Sequence, residues 1–121
     1  MTIASEEDIR KIENTWKLPS CYLEFLKYYT PVHVMLKGIH LYGASILIKN
    51  QAGYAYNELT NEHIDDWPAG YIVIADKHAD PFCIDLAKGD LSPVYSAFHG
   101  TGRWDFVEYT DSFESFIRKL I

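Results

Sequence analysis

The sequence predicts an α+β domain, with a largely antiparallel sheet of about six strands packed by two N-terminal helices and one C-terminal helix. Apolar residues recur at helical spacing near both ends of the chain. Between them lie short apolar runs divided by turn residues. These runs are consecutive rather than alternating with helices, which argues for one sheet with helices on one face. At 121 residues, 48% of them hydrophobic and 15% aromatic, the chain can bury one core of ordinary size but not two. With no internal repeat, low-complexity tract or linker-like segment, one domain over residues 1–121 is expected.

The first helix is predicted from about Glu6 to Lys17. Ser5 can cap it, Asp8 follows three residues later as an imperfect capping box, and Ile9, Ile12 and Trp16 keep helical spacing. Pro19 opens the second helix, because its fixed φ and missing N–H suit a first turn. Tyr22, Phe25, Leu26 and Tyr29 then recur as i, i+3, i+4 and i+7. Pro31 ends that helix, since the residue before a proline is driven out of the α region.

Beyond it, IHLYG, SILIKN, GYIVIAD, PFCIDL, SPVYSAFHG and RWDFVEYT read as strands. LAKGDLS reads as a hairpin connection in which Gly89 supplies a positive φ. From Asn50 to Pro68 the pattern is weak, and an irregular excursion with a short helix near Thr60 to Trp67 is expected. Asp111 is placed to cap the last helix, with Glu114 at N3. Phe113, Phe116, Ile117, Leu120 and Ile121 form its apolar stripe, and Arg118 and Lys119 complement its C-terminal end.

The net charge of -6 repels a phosphate backbone and anionic lipid, and the eleven Lys and Arg form no patch that would reverse this. Direct nucleic-acid and membrane partners are therefore not expected. The acids are grouped, near Glu6, Asp65 and Asp76. No run approaches the roughly 18 apolar residues of a membrane span, and MTIASEEDIRKIE has acids where a signal peptide has basic and apolar regions. A soluble cytoplasmic protein is expected. Cys21 and Cys83, far apart in sequence, read as reduced and mostly buried thiols.

The stretch DPFCIDLAKGDLSPVYSAFHG gathers Asp80, Cys83, Asp85 and His99. As a metal site it mixes a soft thiolate with hard carboxylates and lacks the paired Cys or His spacing of a zinc site. As a nucleophile site, Cys83, His99 and Asp85 have the residue types of thiolate, base and orienter. Cys83, however, lies between Phe82 and Ile84 in a strand beside acids, where a thiol pKa rises. Structural roles suit these residues better. Cys83 packs, Asp85 accepts backbone N–H groups from the turn Leu86 to Gly89, and His99 with Gly100 closes a strand. The Gly-x-Gly of HGTGRW is followed by a strand pattern rather than a helix, so it reads as a turn and not a phosphate loop.

Asp65 and Asp66, with Glu62 and His63 nearby, point in different directions on a helix or a strand and lack the facing geometry of paired catalytic carboxylates. Contact with a basic protein partner suits Glu62, Asp65, Asp66, Asp76 and Asp80 better, with Tyr54, Tyr56 and Trp67 as aromatic anchors. Core packing beneath the loop is the competing role for Trp67, and the favoured one. No catalytic residue, metal ligand or cofactor is predicted.

Several segments occur in succession: an acidic first helix, LPSCYLEFL, DDWPAGYIVIAD, the DPFCIDL…HG stretch and a closing DSFESFIRKLI. Leu18, Pro19, Tyr22, Phe25 and Leu26 carry the first motif, and Cys83, Ile84, Asp85, Leu86, Gly89, Pro93, Val94, Tyr95, His99 and Gly100 carry the longest. Trp67, Gly70, Tyr71, Ser112 and Phe113 also fit. In these features the chain resembles the SMI1/KNR4 family, or SUKH superfamily, over essentially its whole length. Such proteins often show Asn-Gly after the second helix, where this chain reads YTPVHVMLKG. The resemblance implies an α+β fold, no catalytic residue set and, for bacterial members, an immunity protein that neutralises a cognate polymorphic or contact-dependent toxin, often a nuclease. A regulatory scaffold, as the resemblance implies for fungal relatives, and a small Cys/His-dependent hydrolase are the alternatives.

Overall fold

The computed structural model describes residues 5–28, 33–51, 56–57, 62–63, 70–78, 80–97 and 106–120. Two helices come first, α1 (Glu6–Thr15) and α2 (Ser20–Tyr28). The strands β1 (His33–Leu36) and β2 (Ile39–Tyr42) follow, then a one-turn helix α3 (Ala44–Leu47) and a 3-10 turn at Lys49–Gln51. After the short strands β3 (Tyr56–Asn57) and β4 (Glu62–His63) come β5 (Tyr71–Lys77) and β6 (Asp80–Asp85). A 3-10 segment at Leu86–Leu91, β7 (Val94–Ser96), β8 (Val107–Thr110) and α4 (Phe113–Leu120) complete the order.

Strands β1-β2-β5-β6-β7-β8 form one six-stranded sheet in which every neighbouring pair is antiparallel, so the expected α+β architecture holds. Strands β3 and β4 pair separately. The number of sheet strands agrees with expectation, but their membership does not. SILIKN is helical: the Leu47 N–H donates to the Gly43 carbonyl at 3.1 Å, and Ala44 and Leu47 are buried one turn apart. A short apolar run fits either period, and here the i, i+3 burial won. The sixth strand is instead HVML, turned into β2 by Lys37 and Gly38, both at positive φ (51° and 82°) as a tight two-residue hairpin turn requires.

Two further expectations need correction. Within Thr60 to Trp67, Glu62–His63 is a strand rather than helix, because it finds a partner in β3; the rest of that span lies outside the described residues. The last helix is capped one residue later than expected, by Ser112, whose Oγ accepts the Ser115 N–H at 3.1 Å.

The core lies where α1, α2, α3 and α4 meet the sheet, around Ile12, Tyr22, Leu26, Leu41, Leu47 and Phe116, each buried almost completely. Ile72 to Ala75 and Pro81 to Ile84 are buried without alternation, so both faces of the sheet centre are shielded rather than one. In β5 the register slips between Val73 and Ala75, leaving Ile74 as the extra residue of a bulge. The side chain of Gln51 satisfies the backbone there. Its Oε1 accepts the Val73 N–H at 2.9 Å, and its Nε2 donates to the carbonyls of Val73 and Leu47, both at 2.8 Å. One side-chain amide thus takes the place of a neighbouring strand, because polar backbone in so dry a place must find a partner.

The start of α2 is satisfied from a distance. Pro19 has no N–H to offer, and Asp90, in the 3-10 segment between β6 and β7, accepts the first available one from Ser20 at 2.5 Å. The far end of α4 is treated likewise, with Lys37 Nζ donating to the Lys119 carbonyl at 3.0 Å.

Candidate protein-binding surface

Helices α2 and α4 run beside each other with apolar residues on more than one face. In α2, Tyr22 and Leu26 point into the core, while Phe25 is half-buried and Cys21 and Glu24 are exposed. In α4, Phe113, Phe116 and Leu120 point inward, Ile117 is half-buried, and Glu114 and Arg118 are exposed. Phe113 meets Tyr22 at 4.8 Å and Phe25 at 5.3 Å between ring centroids, both edge to face. The outer margin of this packing is an apolar groove of about 230 Å³ floored by Phe25, Phe113, Ile117 and Cys21. Its rim carries Glu24, Glu114 and Arg118.

The charges on that rim are unequal. Arg118 Nη2 meets Glu114 Oε1 at 2.5 Å, a pairing of i and i+4 on an exposed helix face, so its charge is already answered. Among the described residues no cation pairs with Glu24. The Cys21 thiol is pushed above its ordinary pKa by burial and then by Glu114, Glu24 and Asp90. Cys21 is exposed, contrary to the expectation of two mostly buried thiols, because it lies on the solvent face of α2.

A second surface lies where the start of β5 meets β7 and the 3-10 segment between β6 and β7. Tyr71 stacks on Tyr95 with ring centroids 5.1 Å apart, and Phe106 meets Tyr71 edge to face at 5.0 Å. Lys88 hydrogen-bonds the Tyr95 hydroxyl and lies 5.2 Å from its ring centroid, and the hydrogen bond raises the lysine pKa. Burial, followed by Tyr95 and Asp85, raises the Tyr71 hydroxyl. Leu91 and Val107 are exposed at 85% and 59%, a large share for apolar side chains.

The stretch from Asp80 through β6 and the following 3-10 segment is scaffold in its geometry. Cys83 is fully buried, and burial pushes its thiol well above the ordinary range, so thiolate is scarce at neutral pH. Asp85 Oδ1 accepts the Ala87 N–H at 3.0 Å, its own N–H donates to Ser92 Oγ at 2.8 Å, and Gly89 has φ 54°. Gly70 also has a positive φ, and a Cβ there would meet Asp85 at 3.8 Å. Leu18, Pro19 and Tyr22 are buried at the start of α2. His99, Gly100, Trp67, Asp65, Asp66 and Tyr54 lie outside the described residues, and Glu62 and Tyr56 are described only as parts of β4 and β3.

Two of the expected contact acids, Asp76 and Asp80, have their side chains placed among the described residues. Asp76 is half-buried, accepts the Tyr42 hydroxyl at 2.5 Å and lies 3.8 Å from His40 Nδ1. Asp80 is half-buried on β6, opposite Lys77. The two acids stand near the same end of the β5–β6 hairpin, since Asp76 pairs with Pro81 in the register. Among the described residues no group of three or more His, Cys, Asp or Glu is placed to hold a metal ion. No helix among them is long and apolar enough to cross a membrane.

Sequence reasoning missed the α2–α4 groove. Its signal was present in the width of the α4 stripe, where Ile117 is apolar beyond what one inward face of the helix requires. It also missed Asp90 and Gln51, which no local spacing could reveal.

The model of the SMI1 / KNR4 family (SUKH-1) matches residues 3–119. The chain belongs to that family. No curated protein and no solved structure matches it comparably. At the level of the family this is an immunity-protein-like domain, of a kind generally non-catalytic and paired with a protein.

Proposed function

We propose that this SUKH-1 domain is a non-catalytic immunity protein that neutralises a cognate toxin domain by binding it in the cytoplasm. Family membership over residues 3–119 carries the reading, and the net charge of -6 supports it. A toxin that acts on nucleic acid must present basic surface to phosphate, and an acidic inhibitor then meets it quickly and with strong salt dependence. A nuclease is therefore the toxin class favoured by charge. Burial and raised pKa of the Cys83 thiol weigh against thiol catalysis. Glu62, Asp65, Asp66, Asp76 and Asp80 are the first acids proposed for the contact.

The test is the product of the neighbouring gene. Its purified domain should bind this chain with an affinity that falls steeply between low and moderate salt, and binding should abolish its toxicity when the two are co-expressed. Reversal of Asp80 with Lys should slow association. No toxin beside the gene, and no salt-sensitive partner, would sink the reading.

A further inference from the structure

We propose that the groove between α2 and α4 is a docking site for a basic, apolar-anchored segment of a partner protein, with a leucine-sized side chain on Phe25, Phe113 and Ile117 and a lysine or arginine beside Glu24. The proposal rests on the protein-binding reading and adds to its acids a second, apolar contact.

Shape and charge together select this occupant. The space of about 230 Å³ accommodates one or two aliphatic side chains, and its floor is formed by aromatic and aliphatic groups already fixed by packing on the core. Such rigid apolar pockets, ringed by polar residues, are where anchoring side chains contribute most to association. The rim then discriminates among anchors. Arg118 is neutralised by Glu114, whereas no described cation answers Glu24, so the groove presents net negative charge to what enters it. Burial raises the Cys21 pKa most, and Glu114, Glu24 and Asp90 add to it in the same direction as a negative rim. An acidic segment, including a second copy of this chain at net charge -6, is disfavoured by that field.

Cys21 makes the groove measurable. It lines the groove and is exposed, while the other cysteine, Cys83, is buried. The probe is a synthetic helical peptide with two leucines one turn apart flanked by lysines, compared with the same peptide carrying glutamates. The readout is the rate of N-ethylmaleimide addition to Cys21 in the full chain. The lysine peptide should slow alkylation at least fivefold at saturation, and the glutamate peptide should leave it unchanged. Ile117→Ser should remove the protection, measured against that variant's own unprotected rate. Glu24→Gln, at an exposed position that folding tolerates, should weaken it severalfold. Absence of protection, equal protection by both peptides, or protection that survives both substitutions would each overturn the proposal. Alkylation that slows with protein concentration alone would assign the groove to a second copy, and would overturn it too. Failure here with salt-sensitive toxin binding intact would discard the groove and leave the immunity reading standing. Protection here with no toxin found would do the reverse.

Discussion

Helices α1 and α2 both begin with a side-chain oxygen on a backbone N–H, but the oxygen comes from different distances along the chain. In α1, Ser5 Oγ serves the Asp8 N–H three residues away, and in α2, Asp90 serves the Ser20 N–H seventy residues away. The first contact can form in an isolated segment. The second exists only once the β6–β7 connection has been brought against α2. A local cap helps to make a helix, whereas a remote one makes the helix conditional on the sheet, so local and remote caps should respond differently to substitution.

The largest expected effect belongs to the non-local partner that serves the most backbone groups. Gln51→Ala strips the Val73 N–H and carbonyl of their partner at the bulge, and leaving two partly buried backbone groups unsatisfied should cost about 2–4 kcal/mol by chemical denaturation. Gln51→Glu should recover only part of this loss, because a carboxylate cannot donate to the Val73 carbonyl.

Next in size is the direct test of the two caps. Asp90→Ala should cost about 1–2 kcal/mol, and Ser5→Ala about 1 kcal/mol or less at its exposed site. Hydrogen exchange should separate them further. Loss of Ser5 should free amides in the first turn of α1 alone, whereas loss of Asp90 should free amides in both α2 and the Leu86–Leu91 segment. Equal and purely local exchange in the two variants would break the distinction.

Smaller still is a polar group that neither kind of partner reaches. The Tyr22 hydroxyl is buried with no hydrogen-bond partner among the described residues, and burial raises its pKa. Tyr22→Phe removes that orphan while keeping the ring on Phe113, and should be neutral or stabilising by about 1 kcal/mol. A loss of more than about 1 kcal/mol would show that the hydroxyl is satisfied in solution.

The smallest effect at neutral pH comes from Cys83. Its folded-state pKa is raised by burial, so its contribution is complete below the ordinary thiol pKa and is lost as pH climbs through the thiol range toward the folded value. The melting temperature should fall above about pH 8.5, and Cys83→Val should flatten that limb while changing little at pH 7.

The same distinction explains what could be read in advance. The inward faces of α1, α2 and α4, the strands β5, β6 and β7, and the turn at Gly89 each follow from patterns spanning a few residues. HVML carries no alternation to advertise a strand, only a hairpin turn and a neighbour. SILIKN reads as a strand because its β-branched residues fit one until the packing of Ala44 and Leu47 is known. The acids were legible as a class of contact. Their surroundings were not, since the tyrosine that holds Asp76 comes from another strand.

Cys83 lies in the central hairpin with both its strand neighbours buried, and the chain's other thiol is open to solvent. The pair therefore forms an internal clock. A reagent in excess should consume one thiol at once and the second only when β5 and β6 separate, so the lag between them measures how often the middle of the sheet opens. A protein partner that binds only the closed domain should lengthen that lag as its concentration rises above its dissociation constant, whereas one whose surface survives the opening should leave it unchanged.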